Sequence, residues 1–225
     1  MKFTSEVAIV IQARLGSQRI PQKMIKPFAG TTLTDIFLEK VKQCKSFPIE
    51  NFYLSVHEPE LKDIGYKHEV NVFYRSGKSA NSEGTPMTLM YEWWDWLPHK
   101  YVVLINACVP FLKPETIDGF VDAYKKCDQD GMFAVMNKKN YFWNQSGDLL
   151  TPLTEDVMNT KTVQETYEAA HCLYAGRLDK IGQGIWMGDF NKPNDIKLYP
   201  VSEQEALDID YPWQFELCEK LWESK

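Results

Sequence analysis

The sequence predicts an α/β domain built on a mostly parallel sheet, and three features carry that expectation. Short apolar runs recur along the chain without alternation, as expected of strands covered on both faces. Amphipathic segments separate them, which implies strand–helix–strand crossovers. The chain has 225 residues, 44% of them hydrophobic and 25% charged, enough for one sizeable core.

The first strand is expected at 7–11 (VAIVI), entirely apolar. The chain then turns polar and basic through Arg14, Gly16, Ser17, Arg19, Lys23 and Lys26. Pro21 and Pro27 argue against a continuous helix there, and Gly16 permits a tight turn. A buried strand feeding such a loop can present N–H groups and cations to phosphates. Thr31, Thr32 and Thr34 offer caps for a helix over 33–45, with Leu33, Ile36, Phe37, Val41 and Cys44 at helical spacing. A strand over 52–56 follows, then His57 as a solvated loop residue, a short helix near 58–64, and a strand ending at Arg75. The Gly/Ser-rich stretch 76–86 reads as a loop. Residues 85–97 (TPMTLMYEWWDWL) read as an amphipathic helix packed on the sheet, since burial accounts for the aromatics better than base stacking. A fourth strand begins at Tyr101, a helix starts at Pro114–Glu115 and ends near Cys127, and GMFAVMN supplies a fifth strand. From Lys138 the rhythm breaks into an irregular or antiparallel excursion, followed by a strand over 171–175.

Near the C-terminus, Asp208 and Asp210 fall on one side of an extended segment, because alternate residues share a face. Paired carboxylates so placed suit a hard cation such as Mg²⁺ that also holds phosphates. The net charge of −6 argues against general nucleic-acid binding but not against one small anion in a local basic loop. Five dispersed cysteines without a C-x-x-C pair fit reduced thiols, and Cys108 has no His/Asn pattern to make it a nucleophile. The N-terminal apolar run is too short for a membrane span or signal peptide, so the expectation is a cytoplasmic protein with no membrane association.

The string ARLGSQRIPQK resembles the A-R-x-G-S-x-R-x-P-x-K signature of the cytidylyltransferases that activate acidic sugars, including acylneuraminate, KDO and spore-coat polysaccharide members. LDIDYPWQF resembles the family's D-I-D-x-x-x-D-F, with Gln214 where its later Asp stands. VQETYEAAHCLYAG resembles Q-x-x-P-x-x-Y-x-x-N-G-x-x-Y, with Ala170 and His171 replacing the Asn and Gly. Met24 replaces an Asn common in sialic-acid members. The resemblance implies a single Rossmann-like nucleotidyltransferase domain over 1–225 with a protruding dimerisation and sugar-binding arm at 138–170. It implies transfer of CMP from CTP to a sialic-acid-like or KDO-like sugar, with pyrophosphate released. By position it puts the nucleotide on Ala13, Arg14, Gly16, Ser17, Lys23, Arg75 and Ser82, and the sugar on Asn106, Gln164 and Tyr174. Mg²⁺ falls to Asp208 and Asp210, and Arg14, Lys23 and Asp210 serve catalysis. A homodimer is implied. Two other readings stay open: a glycosyltransferase using D-x-D to hold a metal–nucleotide diphosphate, and a non-catalytic nucleotide-binding protein of the same fold.

Overall fold

The computed structural model describes residues 1–81, 84–153 and 159–224. Its seven strands are β1 (Val7–Gln12), β2 (Phe52–Val56), β3 (Asn71–Tyr74), β4 (Tyr101–Ile105), β5 (Gly131–Lys138), β6 (Thr166–Arg177) and β7 (Ile196–Val201). They form one sheet in the order β3-β2-β1-β4-β6-β5-β7. Only β6 runs against its neighbours β4 and β5; the other pairings are parallel. The chain moves outward from β1 to β3, then returns to place β4 on the other side of β1. That reversal opens a crevice at the C-terminal ends of β1 and β4, where open α/β sheets bind ligands.

Among the described residues six α-helices complete the fold: α1 (Leu33–Gln43), α2 (Pro59–Lys67), α3 (Met87–Met90), α4 (Pro114–Lys126), α5 (Leu178–Gly182) and α6 (Pro212–Glu223). Thr32 caps α1, its hydroxyl oxygen accepting from the Asp35 amide at 3.1 Å. Strand residues alternate between two cores. Val7, Ile9, Ile11, Val103 and Ile105 join Phe37, Phe120 and Phe215 on one face. Ala8, Val10, Val102 and Leu104 join Trp93, Leu97, Leu178 and Ile181 on the other. Apolar residues at every position are therefore the consequence of two covered faces.

Three elements differ from the sequence reading. Residues 85–97 do not make one helix: α3 stops at Met90 and a separate 3₁₀ turn spans Glu92–Asp95. The break lets Trp93 donate its indole N–H to Gln12 Oε1 at 2.8 Å while Trp94 donates to the Thr88 carbonyl at 3.1 Å. Neighbouring tryptophans on an unbroken helix would point about 100° apart and could not both be housed this way. β6 begins at Thr166, so the excursion is shorter than 138–170, and its first residues pair with the far end of β5. Their exposed, polar character hid them, because an antiparallel pair projecting beyond the helices has no face to bury. His57 is half-buried, its Nδ1 3.1 Å from the Arg75 carbonyl and its ring stacked on Tyr74.

Gly131 opens β5 where the Met187 carbonyl crosses it. A Cβ there would lie 1.5 Å from that oxygen, a backbone atom that cannot swing away. Gly131→Ala should therefore destabilise by about 3 kcal/mol, read as a lowered denaturation midpoint. Gly16→Ala, where a Cβ meets nothing within 4 Å, should leave the midpoint unchanged.

Candidate active site

The loop after β1 and the segment before α6 meet at the crevice. Ile209 is fully buried, which turns its neighbours Asp208 and Asp210 to the opposite side. Its amide donates to the Cys108 carbonyl at 2.9 Å, tying the segment to the exit of β4. Lys23, only 8% exposed, donates its ammonium to the Ile209 carbonyl, a contact between residues 186 apart in sequence. Arg19 pairs with Asp210 at 2.7 Å and lies over the Tyr211 ring. Asn106, at the end of β4, donates to Asp208 Oδ2 at 3.1 Å and to the His171 carbonyl at 2.9 Å.

Two adjoining hollows share Gln12 and Arg14. One, of about 460 Å³, is lined by Ala13, Ser17, Gln18, Arg19, Lys23 and Asp210 among others. The smaller, of about 150 Å³, lies against Arg75, Ser79, Ala80, Asn81 and Met90. A cationic chamber adjoining a smaller one has the outline of a site for a phosphate chain and a base.

Burial pushes the Asp208 carboxyl above its ordinary range, and the negative charge of Asp210 adds to the rise against the pull of Lys23 and Asn106. Asp208 Oδ1 is buried and has no hydrogen-bond partner. An orphaned carboxylate oxygen beside a second carboxylate fits a hard cation, so Asp208 and Asp210 suit Mg²⁺. Among the described residues no third His, Cys, Asp or Glu joins them. Water and phosphate oxygens would complete such an ion's shell, as is usual for Mg²⁺.

Several expected ligands have other partners. Arg75 is 2% exposed and donates to the carbonyls of Ala13 at 2.8 Å and Ser79 at 3.2 Å. Burial lowers its pKa to about 10, with Glu58 opposing and Arg14 adding to the fall. It lines the smaller hollow while fastening together the two loops that form it. The Ser17 amide, expected to face phosphate, donates to the Leu15 carbonyl at 2.8 Å, and the Leu15 amide donates to Glu58 Oε1 at 2.8 Å. Gly16 does not adopt a positive φ; the left-handed turn falls on Gln22 instead. Arg14 donates to the Ala80 carbonyl at 3.1 Å. Gln214, where the resemblance expects Asp, caps α6 by accepting the amides of Asp210 and Tyr211 at 2.7 and 2.8 Å. Tyr174 donates its hydroxyl to the His171 carbonyl at 2.9 Å and stands beside this cluster. Gln164 is exposed ahead of β6 and lines neither hollow, and Ala170 is buried. Ser82 lies outside the described residues. Burial raises the pKa of the Cys108 thiol, in keeping with an inert cysteine.

The sequence reading did not single out Gln12, Arg19 or Glu58 as site residues. Arg19 was visible within the basic string, and Gln12 as the first polar residue after the apolar run. Glu58 had no signal of its own, since its role depends on α2 meeting the loop after β1.

A family model for cytidylyltransferases matches residues 8–182. The chain belongs to the cytidylyltransferase family. Among its relatives are a 3-deoxy-manno-octulosonate cytidylyltransferase of Rickettsia felis, 29% identical over 56% of this chain and 50% of that one. The spore coat polysaccharide biosynthesis protein SpsF of Bacillus subtilis is 24% identical over 53% of this chain and 50% of that one. The chain thus spans about half the length of the curated relatives it matches. A solved CMP:2-keto-3-deoxy-manno-octonic acid synthetase complexed with CTP shares the fold, with a TM-score of 0.71 at 14% identity over 98% of this chain and 99% of that one. A cytidylyltransferase from Leptospira borgpetersenii superposes with a TM-score of 0.61 at 18% identity, over 95% and 85%. The fold is therefore shared over 98% of the chain, beyond the residues that the family model matches.

Because its folded pKa lies above its unfolded value, the native state holds the Asp208 proton more tightly than the unfolded chain does. Stability should fall as pH rises through that interval. Asp208→Asn removes the buried charge yet keeps an oxygen for Asn106. It should raise the melting temperature at neutral pH by roughly 2–4 °C, the scale of a 1 kcal/mol change in a chain this size. Turnover should drop by on the order of 10²-fold. A lower melting temperature with unchanged turnover would mark Asp208 as structural.

Proposed function

We propose that this cytidylyltransferase transfers CMP from CTP to an acidic sugar of the sialic-acid or KDO kind, releasing pyrophosphate and supplying surface glycan synthesis. The observation that carries the reading is the meeting of Lys23 and Arg19 with Asp208 and Asp210 around one hollow. A sugar hydroxyl attacks the α-phosphorus of CTP; the new bond is sugar oxygen to phosphorus, the bond to the bridging β-phosphate oxygen breaks, pyrophosphate leaves and the hydroxyl proton passes to water. Such chemistry depends on positioning and charge neutralisation more than on covalent catalysis. Arg14, Arg19 and Lys23 would offset the triphosphate charge, with Lys23 held rigidly by the Ile209 carbonyl. Asp208 and Asp210 would hold Mg²⁺, which when bound neutralises charge on the phosphate oxygens. Asn106 fixes the orientation of Asp208, and Glu58 and Arg75 hold the loop after β1 in place.

The smaller hollow, at about 150 Å³, suits a single six-membered base better than a fused purine. With Mg²⁺ present, CTP should therefore raise the melting temperature more than the purine nucleotides ATP and GTP, and the family match adds the expectation that it exceeds UTP. Pyrophosphate release from CTP, assayed with 3-deoxy-manno-octulosonate and N-acetylneuraminate, tests the reaction itself. Equal stabilisation by all four nucleotides together with no pyrophosphate release would refute the reading.

The arm supports a homodimer. Phe142, Trp143, Leu150 and Leu153 are exposed, more apolar surface than a short projection usually leaves in water. The protein should sediment as a dimer at micromolar concentration, and Trp143→Glu combined with Leu150→Glu should yield monomers with reduced turnover. A wild-type monomer with full turnover would contradict this assembly.

A further inference from the structure

The two carboxylates of the crevice are in different states. Asp208 is fastened through Oδ2 to Asn106, and its Oδ1 is buried without a partner. Asp210 is more open, and its Oδ1 already accepts from Arg19 Nη2 at 2.7 Å. The Asp210 side chain is 41% exposed and that of Arg19 51%, so water reaches both members of the pair. The main chain at Asp210 is fixed, because its amide donates to Gln214 Oε1 at 2.7 Å. The carboxylate therefore stays at the chamber, while its counter-ion sits at the end of a long side chain from the loop after β1.

A cation placed where a metal would be held excludes that metal. Arginine does not shed its proton, so Arg19 can release Asp210 only by moving away. Its other support is Tyr211, whose ring centre lies 4.8 Å from the guanidinium carbon. A hydrogen bond to the Tyr211 side chain raises the Arg19 pKa, with burial opposing and the charge of Asp210 adding to the rise. An exposed ion pair between two flexible groups contributes little, so it yields to a stronger partner. A triphosphate is such a partner, since its oxygens meet a guanidinium in pairs and carry more charge than one carboxylate. The chamber that Arg19 lines also holds Arg14 and Lys23, so a triphosphate drawn to them arrives beside Arg19.

We propose that Arg19 is a stand-in counter-ion for the metal, occupying Asp210 in the free protein and moving to the triphosphate when nucleotide enters. Its departure leaves Asp210 to the divalent cation. This inference rests on the CMP-transfer reading and its paired-carboxylate metal site, and it adds an order of events to both. Before nucleotide enters, a divalent cation meets the charge of Arg19 at Asp210 and that of Lys23 near Asp208. Once Arg19 has moved, one of those two charges is gone. Nucleotide and metal thus favour each other, and by linkage the coupling is equal in both directions.

Arg19→Gln removes the charge at an exposed position, so the fold should survive, which melting of the variant checks. Two affinities decide the matter, and neither depends on turnover. Mn²⁺ alone is titrated by the electron spin resonance of the free ion, and CTP alone is titrated by calorimetry in EDTA. Relative to wild type, Arg19→Gln should bind Mn²⁺ about threefold more tightly and CTP about threefold more weakly. Arg14→Gln takes the same charge from the chamber without touching Asp210, since Arg14 donates to the Ala80 carbonyl. It should weaken CTP but leave Mn²⁺ affinity close to that of wild type. Unchanged Mn²⁺ affinity in Arg19→Gln would overturn the proposal, because the ion pair would then not compete with the metal. Equal gains in both variants would overturn it too, by reducing the effect to net charge. Mn²⁺ bound as well by Asp208→Asn combined with Asp210→Asn as by wild type would remove the metal site itself. Absence of CTP binding by the wild type, with or without Mn²⁺, would bring down the CMP-transfer reading, and this inference falls with either.

Discussion

The buried ammonium of Lys23 is the constraint on which the crevice depends. A lysine 8% exposed needs compensation, and it finds the Ile209 carbonyl directly and the Asp208 carboxylate nearby. In return it draws together two segments that the sheet topology merely brings to the same edge. Without that cation Asp208 would lose the charge that opposes its burial, while Asp210 would keep Arg19 at 2.7 Å. The two motifs therefore meet through the Lys23 bond to the Ile209 carbonyl.

Around this pair the protein spends polar groups on rigidity. Arg75 and Glu58 are charged residues at the base of the crevice, yet both bond to backbone: Arg75 to Ala13 and Ser79, Glu58 to Leu15. They hold a loop that has no helix to stiffen it, because Pro21 and Pro27 exclude one. Groups held in advance need no reorganisation when charge moves during phosphoryl transfer. Local charge, not the acidic whole-chain balance of −6, governs what can bind there.

The parallel strands were legible because burial on both faces leaves a continuous apolar run, as in 7–11 and 101–105, with no competing pattern. α1 and α4 were legible from spacing and from Thr32 and Pro114 at their starts. The meeting of Lys23 with the Asp208 segment followed from topology once both motifs were placed at strand exits. What was hidden is what depends on contacts between distant segments. That Arg75 also fastens two loops was hidden, because its sequence neighbours do not include the carbonyls of Ala13 and Ser79 to which it donates. The aromatic stretch 85–97 satisfied a helical pattern, and only the indole partners Gln12 and Thr88 required a break.

Crystals grown with CTP and Mn²⁺ in place of Mg²⁺ would test the paired site most directly, because Mn²⁺ is located by its anomalous scattering. The account predicts a metal peak bounded by the carboxylates of Asp208 and Asp210, with the triphosphate against Lys23 and Arg14 and the base in the hollow beside Ser79. Metal and triphosphate bound elsewhere, for instance in the hollow of about 500 Å³ beside Arg177 and Trp186, would contradict it.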